Sequence, residues 1–133
     1  MADLSTTYMG LNLRNPIVAS SSGLTGTLKG VKAVASAGAG AVVLKSLFEE
    51  QIEAEVQGAH TEDDLAMHPE AQEYVEQMGK HLGPERYLEL IAAAKAETNI
   101  PVIASLNSVS TKWWGNYAKQ IEQAGADALE LNI

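Results

Sequence analysis

Two pairs of similar segments along the chain restrict the folds that it can adopt. Residues 15–20 resemble residues 100–105, because each has a proline followed by a short apolar run that ends in Ala-Ser. Residues 37–46 resemble residues 124–133, because each begins with Ala-Gly-Ala, continues as an apolar run and carries polar side chains near its end. Proline costs little at the first position of a strand, and Ile and Val favour a buried pleat. A glycine before the apolar run suits the left-handed residue that ends a helix. Each pair therefore predicts two strands.

Apolar residues recur at helical spacing between these strands. The predicted strands are 16–20, 41–46, 101–106 and 128–133. The predicted helices are 27–37, 84–97 and 111–124. Pro84 suits the first position of the second helix. Alternating strands and helices with nearly continuous apolar strands are typical of a parallel α/β sheet covered by helices.

Two segments lie outside this alternation. Residues 1–14 predict a small hairpin that turns near Gly10. Residues 47–83 predict a long acidic insertion loop after the second strand. Barrel enzymes place their substrate loops and lids at such a position. We expect both segments to belong to a single domain that spans residues 1–133.

Composition and charge exclude several classes of protein. Apolar residues make up 46% of the chain and charged residues 20%, which argues against global disorder. The formal charge of −8 leaves no surplus of Lys and Arg to neutralise phosphates, so we expect no nucleic-acid partner. The absence of cysteine excludes disulfides, thiolate metal sites and a cysteine nucleophile within these residues. His60 and His68 have no third ligand at a suitable spacing, so we predict no metal site.

The chain shows no sign of membrane insertion or export. It lacks a secretory signal at its N-terminus and an apolar run of the roughly 20 residues that span a bilayer. We therefore expect a cytoplasmic protein without a membrane partner.

Polar side chains close all four predicted strands. Ligands bind at the carboxyl ends of the strands in parallel α/β folds. Hydroxyls and amides suit the edge of a heterocycle better than a metal ion, and an inward Lys45 needs an acceptor. A redox ring with carbonyl oxygens and ring nitrogens provides that acceptor. The candidate residues are Ser20, Ser21, Lys45, Ser46, Ser105, Asn107 and Asn132.

Each of these residues also has a plain structural interpretation. Serines before a glycine often form a turn with local backbone hydrogen bonds. Lys45 also suits a solvated strand end, and Asn132 suits the start of a turn. The coincidence of four polar strand ends, rather than any one residue, favours a ligand site.

The combined features resemble the dihydroorotate dehydrogenase family of FMN-dependent barrels. The motifs that carry the resemblance are Asn15-Pro16 leading to Ala19-Ser20, Gly40-Ala41 before Lys45-Ser46, and Glu130-Leu131-Asn132. The resemblance covers residues 8–133 and is weakest in the insertion. It implies a TIM (β/α)8 barrel, of which this chain holds the N-terminal hairpin and the first four parallel strands.

The resemblance also implies an activity. The implied protein is an FMN-dependent dehydrogenase of pyrimidine metabolism, which oxidises dihydroorotate or a related dihydropyrimidine as its small-molecule substrate. The candidate residues at the strand ends would bind FMN. The implied catalytic base follows Ile133 and the phosphate-binding loops come later still, so we assign no catalytic residue and expect the 133-residue chain alone to be inactive. The insertion lacks the asparagines that family members carry there, so we expect its substrate contacts to be different or absent.

Two other functions stay open at this point. One is a barrel aldolase in which Lys45 forms a Schiff base with a carbonyl substrate. The other is a half-barrel without enzymatic activity that associates with further copies through its unpaired sheet edges. We expect a homo-oligomer.

Overall fold

A computed structural model of the chain describes residues 2–49, 84–107 and 111–133, with only the backbone of residues 111–114. The described strands are β1 (Thr6–Tyr8), β2 (Leu11–Leu13), β3 (Val18–Ala19), β4 (Ala41–Val43), β5 (Leu47–Phe48), β6 (Val102–Asn107) and β7 (Ala128–Asn132). The described helices are α1 (Leu28–Ser36), α2 (Pro84–Glu97) and α3 (Thr111–Gln123). A 3-10 turn spans Gly23–Gly26 between β3 and α1.

Strands β3 to β7 form one sheet in which every pairing is parallel. Strands β4 and β5 pair with one edge of β6, and β7 pairs with the other edge, because Ile103 and Leu106 each have a partner on both sides. The parallel, helix-covered α/β architecture is therefore confirmed. The described strands form an open sheet, so the prediction of a (β/α)8 barrel is confirmed only to that extent.

The units β3–α1–β4 and β6–α3–β7 repeat one another in register. Val18 pairs with Ala41 in the first unit, and Ile103 pairs with Ala128 in the second. These are the residues that the two sequence similarities align, since 15–20 matches 100–105 and 37–46 matches 124–133. The similarity within the sequence thus reflects a repeated βαβ unit.

Helices α1 and α3 also end in the same way. Gly38 and Gly125 take left-handed conformations, with φ of 99° and 102°. In each unit the glycine amide and the next amide donate to carbonyls of the last helical turn, at 3.0 to 3.3 Å. Such a termination turns the chain out of the helix and into the following strand.

Alternate residues of the strands enter two apolar clusters, as expected from the strand period of two. Residues such as Leu44 and Ala104 face the helices and pack against them. Val43 and Ile103 face the other way and contact Leu13 of the hairpin. A hollow of about 690 Å³ remains between the hairpin and this inner face of the sheet.

The predicted hairpin and the predicted insertion both lie outside the βαβ units. The hairpin predicted near Gly10 corresponds to the antiparallel strands β1 and β2, which Met9 and Gly10 connect with φ of 52° and 74°. The insertion predicted over 47–83 begins inside the sheet, because Leu47 is buried and pairs with Leu106. Residues 50–83 lie outside the described residues.

A β-bulge separates β4 from β5. Val43 pairs with Ile103 and Leu47 pairs with Leu106, so four steps along one strand match three along the other. The extra residue interrupts the strand that the sequence predicted as continuous over 41–46. Bulges redirect side chains and often lie beside functional sites.

Candidate functional site

The backbone amides at the bulge bond to groups outside the sheet. The Lys45 amide donates to the carbonyl of Thr25 in the 3-10 turn at 3.3 Å. The Ser46 amide donates to the side-chain Oγ of Ser21 at 2.8 Å. These two bonds tie the segment after β3 to the bulge, and they bring together residues from two strand ends.

The hydroxyl of Tyr87 fills the gap that the bulge leaves beside β6. The Ile103 carbonyl accepts from the amide of Leu44, the residue after β4, at 2.9 Å, so the Ser105 backbone, two residues further on, faces the same side. There the Tyr87 hydroxyl accepts from the Ser105 amide at 2.8 Å and donates to the Ser105 carbonyl at 3.2 Å. Burial raises the pKa of Tyr87 well above its usual value, so the hydroxyl keeps its proton. The tyrosine thus replaces the missing strand–strand contacts.

Four side chains form a continuous chain of hydrogen bonds across the carboxyl ends of the strands. The Oγ atoms of Ser21 and Ser46 lie 3.1 Å apart, and those of Ser46 and Ser105 lie 2.8 Å apart. The Ser105 hydroxyl donates to Oε1 of Glu130 at 2.7 Å. Ser105 is fully buried, so its contact with a ligand runs through its neighbours. We call these residues, together with Asn132, the edge cluster.

Asn132 completes the edge cluster from the end of β7. Its Nδ2 donates to Ser105 Oγ and to Glu130 Oε1, each at 3.3 Å. Asn132 is exposed, whereas Glu130 is half-buried. Both face the same side of the sheet because they stand two residues apart on one strand, and Glu130 lines the inner hollow.

The other three candidate residues lie at the same edge of the sheet without a hydrogen bond to the cluster. Ser20 is exposed and lines the inner hollow. Asn107 is half-buried and pairs in register with Asn132. Lys45 is half-buried, and its aliphatic stem lies against Gly26, where an added Cβ would meet Lys45 Cδ at 3.3 Å. The candidate residues that hydrogen bonds do join are Ser21, Ser46, Ser105 and Asn132.

Sequence reasoning missed two residues of this site. Glu130 had a usable signal, because a strand period of two places it on the same face as Asn132. Tyr87 had none, since it looks like an ordinary apolar position of α2. Only the pairing of distant strands shows the gap that its hydroxyl fills.

The repeated βαβ unit accounts for the position of several polar residues. Ser105 is the counterpart of Ser20, and Asn132 is the counterpart of Lys45, in the alignment of the two units. Equivalent positions of the repeat therefore present polar groups at the same edge of the sheet.

The described part of the chain holds neither a group of metal-ligating side chains nor a membrane-spanning helix. In residues 2–49, 84–107 and 111–133, no three His, Asp or Glu side chains are grouped so as to hold a metal ion. His60 and His68 lie outside those ranges. Among the helices that the structure describes, none has the length and apolar character needed to cross a membrane.

Comparison with known proteins finds similar folds among solved structures. No protein-family model matches the chain, and no curated protein matches it. The fold is similar to a solved structure described as an IMP dehydrogenase/GMP reductase-like protein from Corynebacterium glutamicum ATCC 13032 Kitasato, with a TM-score of 0.56 and 16% sequence identity. The similarity covers 98% of this chain but 35% of that protein's chain. It supports part of a barrel-type α/β fold.

This comparison contradicts the predicted membership of the dihydroorotate dehydrogenase family. The similar structure carries a different family description, and the assignment to pyrimidine metabolism has no support from it. The motifs behind the prediction are short and stand at the starts and ends of strands. A repeated βαβ unit favours proline at such starts and polar residues at such ends, whichever family it belongs to. The motifs therefore indicated the architecture and not the family.

Proposed function

We propose that the protein carrying this sequence is an oxidoreductase that binds FMN at the carboxyl edge of the parallel sheet. The observation that carries the proposal is the edge cluster, in which hydrogen bonds join residues from four strand ends. The description of the similar solved structure, which names IMP dehydrogenase and GMP reductase, supports an oxidoreductase of barrel type. The chain covers 35% of that structure, so the activity stays a proposal.

The side chains at this edge fit a planar heterocycle with carbonyl and N–H groups. Ser21 and Ser46 are half-buried and Asn132 is exposed, so their polar atoms lie at the surface of the edge. Lys45 adds a cation whose stem Gly26 supports. A cation beside an electron-accepting ring stabilises the negative charge that reduction creates. FMN, when bound, supplies the hydride-transfer chemistry.

The fold holds these groups in place before any ligand binds. Tyr87 fixes the backbone of Ser105, and the bulge fixes Ser46 against Ser21. Val43 and Ile103 give the hollow beside the cluster an apolar lining, from which water is more easily displaced. A rigid polar edge beside an apolar surface is the usual composition of a cofactor site.

The same observations favour ligand binding by Lys45 over Schiff-base chemistry. A Schiff-base lysine is commonly activated by an apolar pocket that disfavours its charged form. Lys45 instead follows a buried strand at an edge where hydroxyl and amide groups are concentrated.

The second candidate is an oxidoreductase that acts on a purine nucleotide without a resident flavin. The description of the similar structure favours it, because that description names enzymes of two purine nucleotides. The same edge of the sheet would then bind the base of the nucleotide.

Purification of the full-length protein separates these possibilities. We expect a yellow protein that shows the absorbance of oxidised flavin and releases close to one FMN per chain on denaturation. A colourless protein that takes up no FMN on dialysis would contradict the proposal. Uptake of a purine nucleotide by that colourless protein would support the second candidate, and covalent trapping of a carbonyl ligand by borohydride would indicate an aldolase.

A further inference from the structure

Glu130 fixes the direction of the hydrogen bonds in the edge cluster. An ionised carboxylate only accepts hydrogen bonds, and a serine hydroxyl has a single proton to donate. Ser105 therefore donates its proton to Glu130 at 2.7 Å. Ser46 must then donate to Ser105 at 2.8 Å, and Ser21 must donate to Ser46 at 3.1 Å. All three hydroxyl protons point along the chain toward the carboxylate.

The remaining lone pairs follow from the same count. A serine oxygen accepts two hydrogen bonds. Ser105 Oγ accepts from Ser46 and from Asn132, so both of its lone pairs are used. Among the residues that the structure describes, Ser46 Oγ accepts only from Ser21, and Ser21 Oγ accepts only from the Ser46 amide. With respect to those residues, Ser21 and Ser46 thus each keep one lone pair for a ligand.

The carboxylate also fixes the orientation of the Asn132 amide. Nδ2 must face Glu130 and Ser105, because Glu130 has no proton to give to an amide oxygen. The Oδ1 atom is then the part of the amide that a ligand meets. Ser21, Ser46 and Asn132 therefore all present acceptors to a ligand.

We propose that the edge cluster selects its ligand through an N–H group, and that Glu130 is the positioning residue that sets this specificity. The inference rests on the proposed function. It adds the identity of the chemical group on the FMN ring that the serines bind. Oxidised FMN has one ring N–H, an imide flanked by two carbonyls. The serine and asparagine oxygens complement that N–H, whereas a carbonyl would face lone pairs and be rejected.

The test compares the affinity of the full-length apoprotein for FMN and for FMN methylated at the imide nitrogen, measured by quenching of flavin fluorescence. For the wild type we expect the methylated flavin to bind at least about tenfold more weakly, because the methyl group leaves an acceptor unpaired. Glu130→Gln keeps the size of the side chain, but its amide can donate to Ser105 and so lets the chain of hydroxyls reverse. We expect its ratio of the two affinities to fall to within about threefold.

Two further variants complete the comparison. Ser21→Ala removes the outermost acceptor and should also reduce the ratio, which tests the inference independently of whether Glu130→Gln folds. Glu122→Gln makes the same change of charge at an exposed position of α3 and should keep the wild-type ratio.

The outcomes distinguish this inference from the proposed function. Equal affinities of the wild type for the two flavins, or an unchanged ratio in both Glu130→Gln and Ser21→Ala, would overturn the inference alone. A wild-type protein that binds neither flavin would overturn the proposed function and the inference together.

Discussion

At the level of single residues, Tyr87 links the helical layer to the candidate site. Its hydroxyl is the described group that bonds to both backbone groups of Ser105 where the bulge opens the sheet. Ser105 in turn carries the hydroxyl at the centre of the edge cluster. Removing the tyrosine oxygen should therefore affect stability first and the geometry of the cluster second.

We expect Tyr87→Phe to lower the free energy of unfolding by about 1–3 kcal/mol, because it leaves a buried amide and a buried carbonyl without their partner. The exposed Tyr8 in the hairpin offers a matched control, and Tyr8→Phe should change stability by less than about 0.5 kcal/mol. Denaturant unfolding of the three proteins at neutral pH measures both effects. Equal stability of Tyr87→Phe and Tyr8→Phe would contradict the assigned role.

The effect of Tyr87→Phe on stability should also depend on pH, in a direction that the raised pKa of Tyr87 determines. Burial raises the pKa of Tyr87 in the folded state above the unfolded value, which is about 10. The unfolded state therefore loses this proton at a lower pH than the folded state does. The contribution of the hydroxyl is complete below about pH 10 and is lost as the pH rises further. The stability difference between wild type and Tyr87→Phe should therefore shrink as the pH rises above about 10.

At the level of secondary structure, the βαβ repeat predicts that substitutions at the equivalent ends of α1 and α3 have similar effects on stability. Gly38 and Gly125 hold equivalent left-handed positions, and no atom of the described residues lies within 4 Å of where a Cβ at Gly38 would be. We expect Gly38→Ala and Gly125→Ala each to cost about 1 kcal/mol through backbone strain alone. Gly115 lies in α3 with open space around it, so Gly115→Ala should stabilise the protein by about 0.5–1 kcal/mol. Thermal unfolding tests the opposite signs, and a stabilising Gly38→Ala would contradict the assignment of the helix end.

Local patterns in the sequence predicted these elements well, because helix periodicity, glycine at helix ends and proline at strand starts act over a few residues. The bulge between β4 and β5 could not be predicted in this way. It depends on how residues 43–47 pair with a strand about 60 residues away, as in the pairing of Val43 with Ile103. The pairing also decides that Ser21, rather than Ser20, joins the cluster. Residue types at the site were thus predictable from sequence, and their hydrogen-bond partners were not.

At the level of the whole molecule, the open sheet leaves apolar side chains uncovered at its two outer strands, β3 and β7. Ile17 is 65% exposed and Leu131 is 43% exposed. Their counterparts in the other βαβ unit, Val102 and Leu44, are fully buried under helices. The repeat thus shows that positions 17 and 131 are suited to burial. The described helices and strands do not cover them.

We expect the 133-residue chain, expressed by itself, to self-associate through these surfaces. The double variant Ile17→Lys with Leu131→Lys should shift sedimentation toward the monomer, because it places a charge at each of the two outer strands of the sheet. A control with Lys at the exposed Ala33 of α1 should behave as the wild-type chain does. A monodisperse wild-type monomer at micromolar concentration would contradict this expectation.

Lys45 gives the most direct test of the central claim that the carboxyl edge of the sheet binds FMN. Titration of the full-length apoprotein with FMN should show an affinity at least about tenfold lower for Lys45→Ala than for the wild type, since the variant loses a charged hydrogen-bond donor. Lys119→Ala removes an exposed lysine from α3 and should bind FMN as the wild type does. Wild-type affinity in a folded Lys45→Ala protein would contradict the placement of the flavin at this edge.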